Sequence, residues 1–416
     1  MNKDIIDQLK KRKVFSLLAD GESMLPLLHP KDLVNYQKIG FSKIRVNDLI
    51  LVFKNNFAFT HRVIYKNKTF LIVKGDNNLK SDGKIYPRHI IGKVTSVKRK
   101  NKIIDPEMIY LIQSSLYFKE IIKIIEAFNR EKIDHVFLKG LPIHLYYEKS
   151  HPRRIYQDAD VLIKKDCLDT VKAILNKFGY KSVDSSLSLI QNKLKDKDVE
   201  MSFYKLVNGF PVVFDIHLEP AFMMTQLSGL DPLYPQRFIS QLTEELLKNK
   251  RQITINGEKF FILNTKYLIL YLALHFFHHN FRGTFRLELI DRIIRKSKLN
   301  SLAINQLINT IYKYRLKKFV YPAFFLLYKY YKTPTMKRFN SITIKQFTTI
   351  SIFNDQFRIE AGVDRFKNLF FFSPLPFYKR IFIFLNRQVW KYGYFSLKSK
   401  LNNVLKKDFF HNTLNL

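Results

Sequence analysis

Between residues 33 and 97 short apolar runs alternate with Gly, Asn and Asp. Residues 48–53, 58–65, 69–74 and 91–97 have strand length and turn-forming borders, a pattern that predicts a compact β domain. The run Lys98-Arg99-Lys100-Asn101-Lys102 reads as a charged linker, and Pro106 marks the change of architecture that follows it. Residues 108–130 then place apolar side chains at helical spacing. His135-Val136-Phe137-Leu138-Lys139-Gly140 predicts a strand entering a glycine turn, followed by a helix through Tyr147. A second strand is expected over 153–163, a helix over 169–179 that ends at the Gly179 C-cap, and further strands over 199–204 and 211–218. Beyond Lys266 the pattern is mainly helical, clearest over 267–279 and 286–295.

These elements predict an α+β multidomain chain: an all-β domain over 1–102, an α/β domain over 103–300 and a helical C-terminal extension over 301–416. With 416 residues the chain can bury two or three separate cores. The sequence shows no internal repeat, and apolar runs such as 267–274 are too short for a bilayer, which takes about 20 residues.

Composition adds a strong charge. Lys+Arg 71 against Asp+Glu 35 leaves a formal net charge of +36, which favours phosphate-rich partners or an anionic membrane surface. Abundant Lys, Asn, Ile, Phe and Tyr are also what an AT-rich coding sequence yields, so dispersed lysines read first as a solvated surface. The aromatic and basic stretch 366–416 fits helices packed over the α/β unit, with a membrane-surface or nucleic-acid face as the alternative. A single cysteine, Cys167, excludes an intrachain disulfide and a cysteine-rich zinc site, and is compatible with a reducing cytoplasm.

Three short blocks in the first quarter carry chemistry. Gly21-Glu22-Ser23-Met24-Leu25-Pro26 is followed by Thr60-His61-Arg62-Val63 and then Lys74-Gly75-Asp76-Asn77-Asn78. A serine hydroxyl needs a base to remove its proton, and a neutral imidazole oriented by a carboxylate is suited to that work. Ser23, His61 and either Asp76 or Asp82 supply the three groups, or Ser23 merely occupies a turn and His61 a strand.

The same blocks resemble the signal peptidase I superfamily, in the branch whose base is histidine. The likeness covers about the first hundred residues. Ser23, Met24 and Pro26 match its serine-methionine-x-proline turn, His61-Arg62-Val63 its base strand, and Asn47-Asp48 its Gly-Asp strand start with asparagine in place of glycine. The resemblance implies a peptide substrate, Ser23 as nucleophile, His61 as base, Asp82 as catalytic acid, Asp76 as a structural residue, and no cofactor. In that family a membrane-spanning helix usually precedes the serine. The stretch before Ser23 is charged throughout, so a cytoplasmic module, in peripheral contact with a membrane at most, is expected.

A second constellation lies further along. On a strand, Asp158 and Asp160 project from one face, and two carboxylates held that close call for a cation. Magnesium, a hard oxygen-seeking ion, fits, and it also binds nucleotide phosphates. On a later strand Val213, Asp215 and His217 share a face, which makes Asp215 a third carboxylate. An ordinary exposed turn at Asp158–Asp160 is the alternative, opposed by the alternation into Val161–Ile163.

Asp-x-Asp followed by a later Asp resembles the nucleotidyltransferase superfamily that includes DNA polymerase β. Phe137-Leu138-Lys139-Gly140, Arg154 with Asp158-x-Asp160, Phe178-Gly179-Tyr180 and Phe214-Asp215-Ile216-His217 are similar to a little-characterised bacterial nucleotidyltransferase-like family, over about residues 115 to 300. The resemblance implies that Asp158 and Asp160 hold magnesium with Asp215, that Asp215 helps activate the incoming hydroxyl, and that a nucleoside triphosphate is the donor. Where that superfamily usually has Gly-Ser, this chain has Lys139-Gly140; Gly140 still admits close approach to phosphate, and Lys139 is either a triphosphate contact or a surface lysine. Arg153 and Arg154 leave the same two readings open, though a basic group beside Asp158-x-Asp160 suits a phosphate site. His275, His278 and His279 share one helix, but lack the glutamate of a zinc-protease pattern and read as packed or substrate-lining residues.

The leading expectation is therefore a bifunctional enzyme, a serine peptidase-like domain joined to a magnesium-dependent nucleotidyltransferase-like domain. One alternative keeps the transferase and reduces the first domain to a peptide-binding module. Another makes the chain a non-enzymatic basic scaffold for nucleic acid or membrane.

Overall fold

Leu49-Ile50-Leu51-Val52 has no polar alternation, and the strand it forms is buried on both faces. Leu49 and Leu51 enter one apolar cluster and Ile50 and Val52 another, as the two-residue period of a strand requires. In the computed structural model, residues 3–25, 27–78, 80–151, 153–154, 156, 158–182, 199–208, 210–220, 224–339, 352–354 and 360–394 are described.

The first sheet is antiparallel throughout. Its strands are β1 Val14–Leu18, β2 Leu33–Gln37, β3 Leu49–Lys54, β4 Phe57–Lys66, β5 Leu71–Lys74, β6 Lys84–Ile85, β7 Ile90–Arg99 and β8 Lys102–Ile104. They run in the order β1-β2-β7-β3-β4-β5-β6, with β8 paired to β7. The expected runs became β3, β4, β5 and β7, while β1, β2, β6 and β8 lie outside them. Helix α1, Lys3–Lys11, places Ile6 and Leu9 in the cluster that also holds Met24.

The charged run 98–102 is no linker. Lys98 pairs with Ile103 and Arg99 with Lys102, so the run closes a hairpin in which Lys100 takes the left-handed conformation at φ 53°. Charge here marks a solvated turn rather than a break between domains.

Helix α2, Pro106–Arg130, starts at an Asp105 cap whose carboxylate accepts from the Glu107 N–H at 2.8 Å. It leads into a mixed sheet ordered β11-β12-β13-β10-β9-β15-β14. These are β9 His135–Phe137, β10 Asp158–Ile163, β11 Lys181–Ser182, β12 Glu200–Val207, β13 Phe210–His217, β14 Lys250–Ile255 and β15 Glu258–Leu263. The β10–β13 and β9–β15 pairs are parallel and the rest antiparallel. Helices α3 Leu141–Glu148, α4 Leu168–Lys177, α5 Gln236–Lys248, α6 Thr265–His278, α7 Thr284–Lys296, α8 Ser301–Lys313, α9 Lys317–Leu326, α10 Glu360–Phe372 and α11 Phe377–Ile381 follow in chain order. Ile304, Leu307, Phe319, Leu369, Phe372 and Ile383 join the same apolar cluster as β10 and β13, so the helices beyond residue 300 share the α/β core. Among the described residues no helix is long and apolar enough to cross a membrane.

The two sheets meet through specific contacts. Tyr65 of β4 meets the rings of Tyr330, Tyr331 and Phe353 at 5.3 to 6.2 Å. Arg153 bridges Asp48, at 3.4 Å, and Glu107, at 2.7 Å.

Candidate functional site

Parallel pairing of β10 with β13 sets Asp158 opposite Val213 and Asp160 opposite Asp215. The alternating period turns Phe214 and Ile216 into the core and leaves Asp215 and His217 on the face that carries Asp158 and Asp160. One oxygen from each of Asp158, Asp160 and Asp215 lies within 4.8 Å of the others. The Asp160 side chain is 4% exposed and that of Asp158 42%, so the cluster opens to solvent on one side.

Lys139, two residues beyond β9, turns its ammonium into this cluster. It donates to Asp158 Oδ2 at 2.9 Å and pairs with Asp160. Burial works to neutralise Lys139, but Asp160 and Asp158 outweigh it and hold the ammonium above its ordinary range. Of the two sequence readings of Lys139, a surface lysine is the one the geometry does not support. His217 Nε2 donates to Asp160 Oδ1 at 3.0 Å; burial opposes its charge, yet Glu200, Asp160 and Asp215 push its pKa up to about 9. Burial works to raise the Asp160 pKa, but Lys139 and His217 outweigh it and hold the carboxyl below its ordinary value. Asp215 behaves oppositely: burial first, then Asp160, Glu200 and Asp158, raise it to about 7.

A profile of the family described as uncharacterised nucleotidyltransferase matches residues 110–332, which contain this whole cluster. The chain belongs to that family. No curated protein matches it.

Within this nucleotidyltransferase family region, Gly140 holds φ 102° before α3, a conformation that a side chain would strain. Arg154 stands 5.1 Å from the ring centres of both Tyr156 and Phe285, and Arg153 is turned toward the other sheet. His275 and His279 lie with their Nε2 atoms 3.2 Å apart, and burial keeps both neutral. Residues that sequence reasoning passed over complete the surroundings. Ser202 donates to Asp215 Oδ1 at 2.6 Å, and Glu200 lies 4.0 Å from His217 Nδ1. Tyr271 is buried within electrostatic reach of all three carboxylates, and Tyr117 ties α2 to β13 through a 2.9 Å hydrogen bond to the Val213 carbonyl. Alternation along β12 was the signal for Glu200 and Ser202; Tyr271 had none, because α6 is apolar on nearly every side.

The first sheet brings together a second set. His61 Nε2 lies 3.0 Å from Ser23 Oγ, and His61 Nδ1 lies 2.7 Å from Asp82 Oδ2. Buried Met24 anchors the serine turn from below, and the Asn77 N–H donates to the Ser23 carbonyl at 2.9 Å. Gly75 packs so tightly there that a Cβ would stand 2.5 Å from that carbonyl oxygen. Asp76 is turned away, its carboxylate gripped by Arg62, with Nε to Oδ1 at 2.7 Å. Pro26 lies outside the described residues.

Proposed function

We propose that the chain transfers a nucleotidyl group from a nucleoside triphosphate to an acceptor at Asp158, Asp160 and Asp215. The observation that carries this reading is the convergence of three carboxylate oxygens within 4.8 Å beside a lysine ammonium. An all-oxygen donor set suits a hard divalent cation, and Lys139 already supplies positive charge to two of the donors. Magnesium held by Asp158, Asp160 and Asp215 would neutralise triphosphate charge and polarise the reacting phosphoryl group. His217 fixes the orientation of Asp160, as Ser202 does for Asp215. Asp215, held by Ser202 at the edge of the cluster, would help take the proton of the attacking hydroxyl. The new bond joins the acceptor oxygen to the α-phosphorus, and the bond to pyrophosphate breaks. Gly140 leaves the backbone open to phosphate, and Lys139, released from the carboxylates, is placed to meet it. Magnesium-dependent pyrophosphate release from a triphosphate, abolished in Asp160→Asn, tests the reading; equal release in that variant contradicts it.

A second activity is supported by the Ser23–His61–Asp82 geometry: hydrolysis of a peptide in the first sheet. Ser23 Oγ attacks the peptide carbonyl while His61 Nε2 takes its proton, and Asp82 holds the imidazole through Nδ1. His61 returns the proton to the leaving amine, and water then cleaves the acyl-serine. A fluorophosphonate adduct on Ser23 that disappears in His61→Ala is expected. Absence of labelling under every condition reduces this sheet to a peptide-binding module.

A further inference from the structure

The segment that closes the described chain turns its apolar side chains outward. Phe377, Tyr378, Ile381, Phe382 and Leu385 recur at spacings of three and four residues through α11 and the 3-10 turn Phe382–Leu385. All five are exposed, Leu385 at 80%, whereas Ile383 is completely buried. The rod is therefore pinned to the core by one side and presents the other, larger apolar side to water. Arg380 adds to the pinning by donating to the carbonyls of Leu375 and Phe370 at 2.7 and 3.1 Å. Next to this face Trp390 is 62% exposed, with its indole N–H donating to the Phe384 carbonyl at 2.5 Å. So many large apolar groups side by side are rare on a surface that meets only water.

Charge decides between occupants. From residue 365 to residue 394 the sequence holds no Asp or Glu, and Lys379, Arg387 and Lys391 border the apolar face. Aromatic and aliphatic side chains beside cations match the boundary of an anionic bilayer, where rings and alkyl groups enter the acyl edge and cations meet the headgroups. A single-stranded nucleic acid is served by rings on which bases stack in a basic groove. Ile381 and Leu385 offer no such ring, and the face stands out from the core instead of lining a groove.

We propose that the face formed by Phe377, Tyr378, Ile381, Phe382, Leu385 and Trp390 docks the protein on an anionic lipid surface. Because Trp390 is the single tryptophan, its fluorescence reports this face alone. The test is titration of the full chain with vesicles of phosphatidylcholine carrying phosphatidylglycerol, beside vesicles of phosphatidylcholine only. Binding to the anionic vesicles, a blue shift of Trp390 and weakening by salt are expected. Phe377→Ser with Leu385→Ser weakens binding about tenfold or more while circular dichroism is unchanged, since both side chains are exposed. Lys379→Gln with Arg387→Gln weakens binding to the anionic vesicles alone. No vesicle binding, or undiminished binding in the serine variant, overturns the proposal. So does a concentration-dependent dimer, an affinity for single-stranded RNA, or vesicle binding gained only after removal of residues 395–416, if the serine variant abolishes it.

Discussion

Lys139 closes an ion pair on Asp160, a carboxylate that is itself buried. The pair substitutes one cation of the chain for another: where the three aspartates hold no metal, this ammonium offsets their repulsion. Lys139→Met is therefore expected to destabilise the metal-free protein by about 3 kcal/mol, the scale of breaking a buried pair. Magnesium or manganese should restore more stability to the variant than it adds to the wild type. Thermal melts with and without the cation check both parts.

Asp215 gives the site a pH dependence of definite sign. Its pKa rises from about 4 in the unfolded chain to about 7 in the fold, where burial comes first and then Asp160, Glu200 and Asp158. The stabilisation from its protonated form is complete below the unfolded value and is lost as pH rises through about 7. A divalent cation competes with that proton, so cation affinity increases over the same interval. Calorimetry in buffers of different ionisation enthalpy should show proton release on binding below neutrality, and none from this group in Asp215→Asn.

Gly75 is expected to be indispensable for presenting Ser23. A methyl group at that position would stand 2.5 Å from the Ser23 carbonyl oxygen, a main-chain atom unable to swing away. Gly75→Ala should shift the serine turn and slow fluorophosphonate labelling of Ser23 by about tenfold or more, with a stability loss of about 1 to 3 kcal/mol. Labelling at the wild-type rate would separate Gly75 from the presentation of Ser23.

Tyr65 links the first sheet to the helical segment that ends at Tyr331 and to Phe353. Tyr65→Ala removes its ring contacts with Tyr330, Tyr331 and Phe353 and is predicted to lower stability by about 3 kcal/mol. Denaturant unfolding measures the loss, and an unchanged midpoint would show that stability does not depend on this contact.

Much of the carboxylate site was legible because a strand's period is fixed: once Asp158, Asp160 and Asp215 are on strands, their shared faces follow, and only the parallel register of β10 with β13 had to come from the fold. The Ser23, His61 and Asp82 set was legible through its ordered blocks. Turn chemistry was the weaker guide. Asn256-Gly257, both at positive φ between β14 and β15, is a strong hairpin signal that went unread. Lys98–Lys102 reads as a linker in sequence because a solvated hairpin and a solvated linker carry the same charges. The ion pair of Lys139 with Asp160 depends on how β9 and the residues after it pair with β10, where the Leu138 N–H donates to the Asp160 carbonyl, and no local pattern encodes that.

The most direct measurement is the affinity of the full chain for a manganese–nucleoside triphosphate complex, read by the paramagnetic signal of bound manganese. One tight complex per chain in the wild type, lost in a folded Asp160→Asn variant, is the result that nucleotidyl transfer at Asp158, Asp160 and Asp215 predicts. Equal binding in the wild type and Asp160→Asn would contradict it.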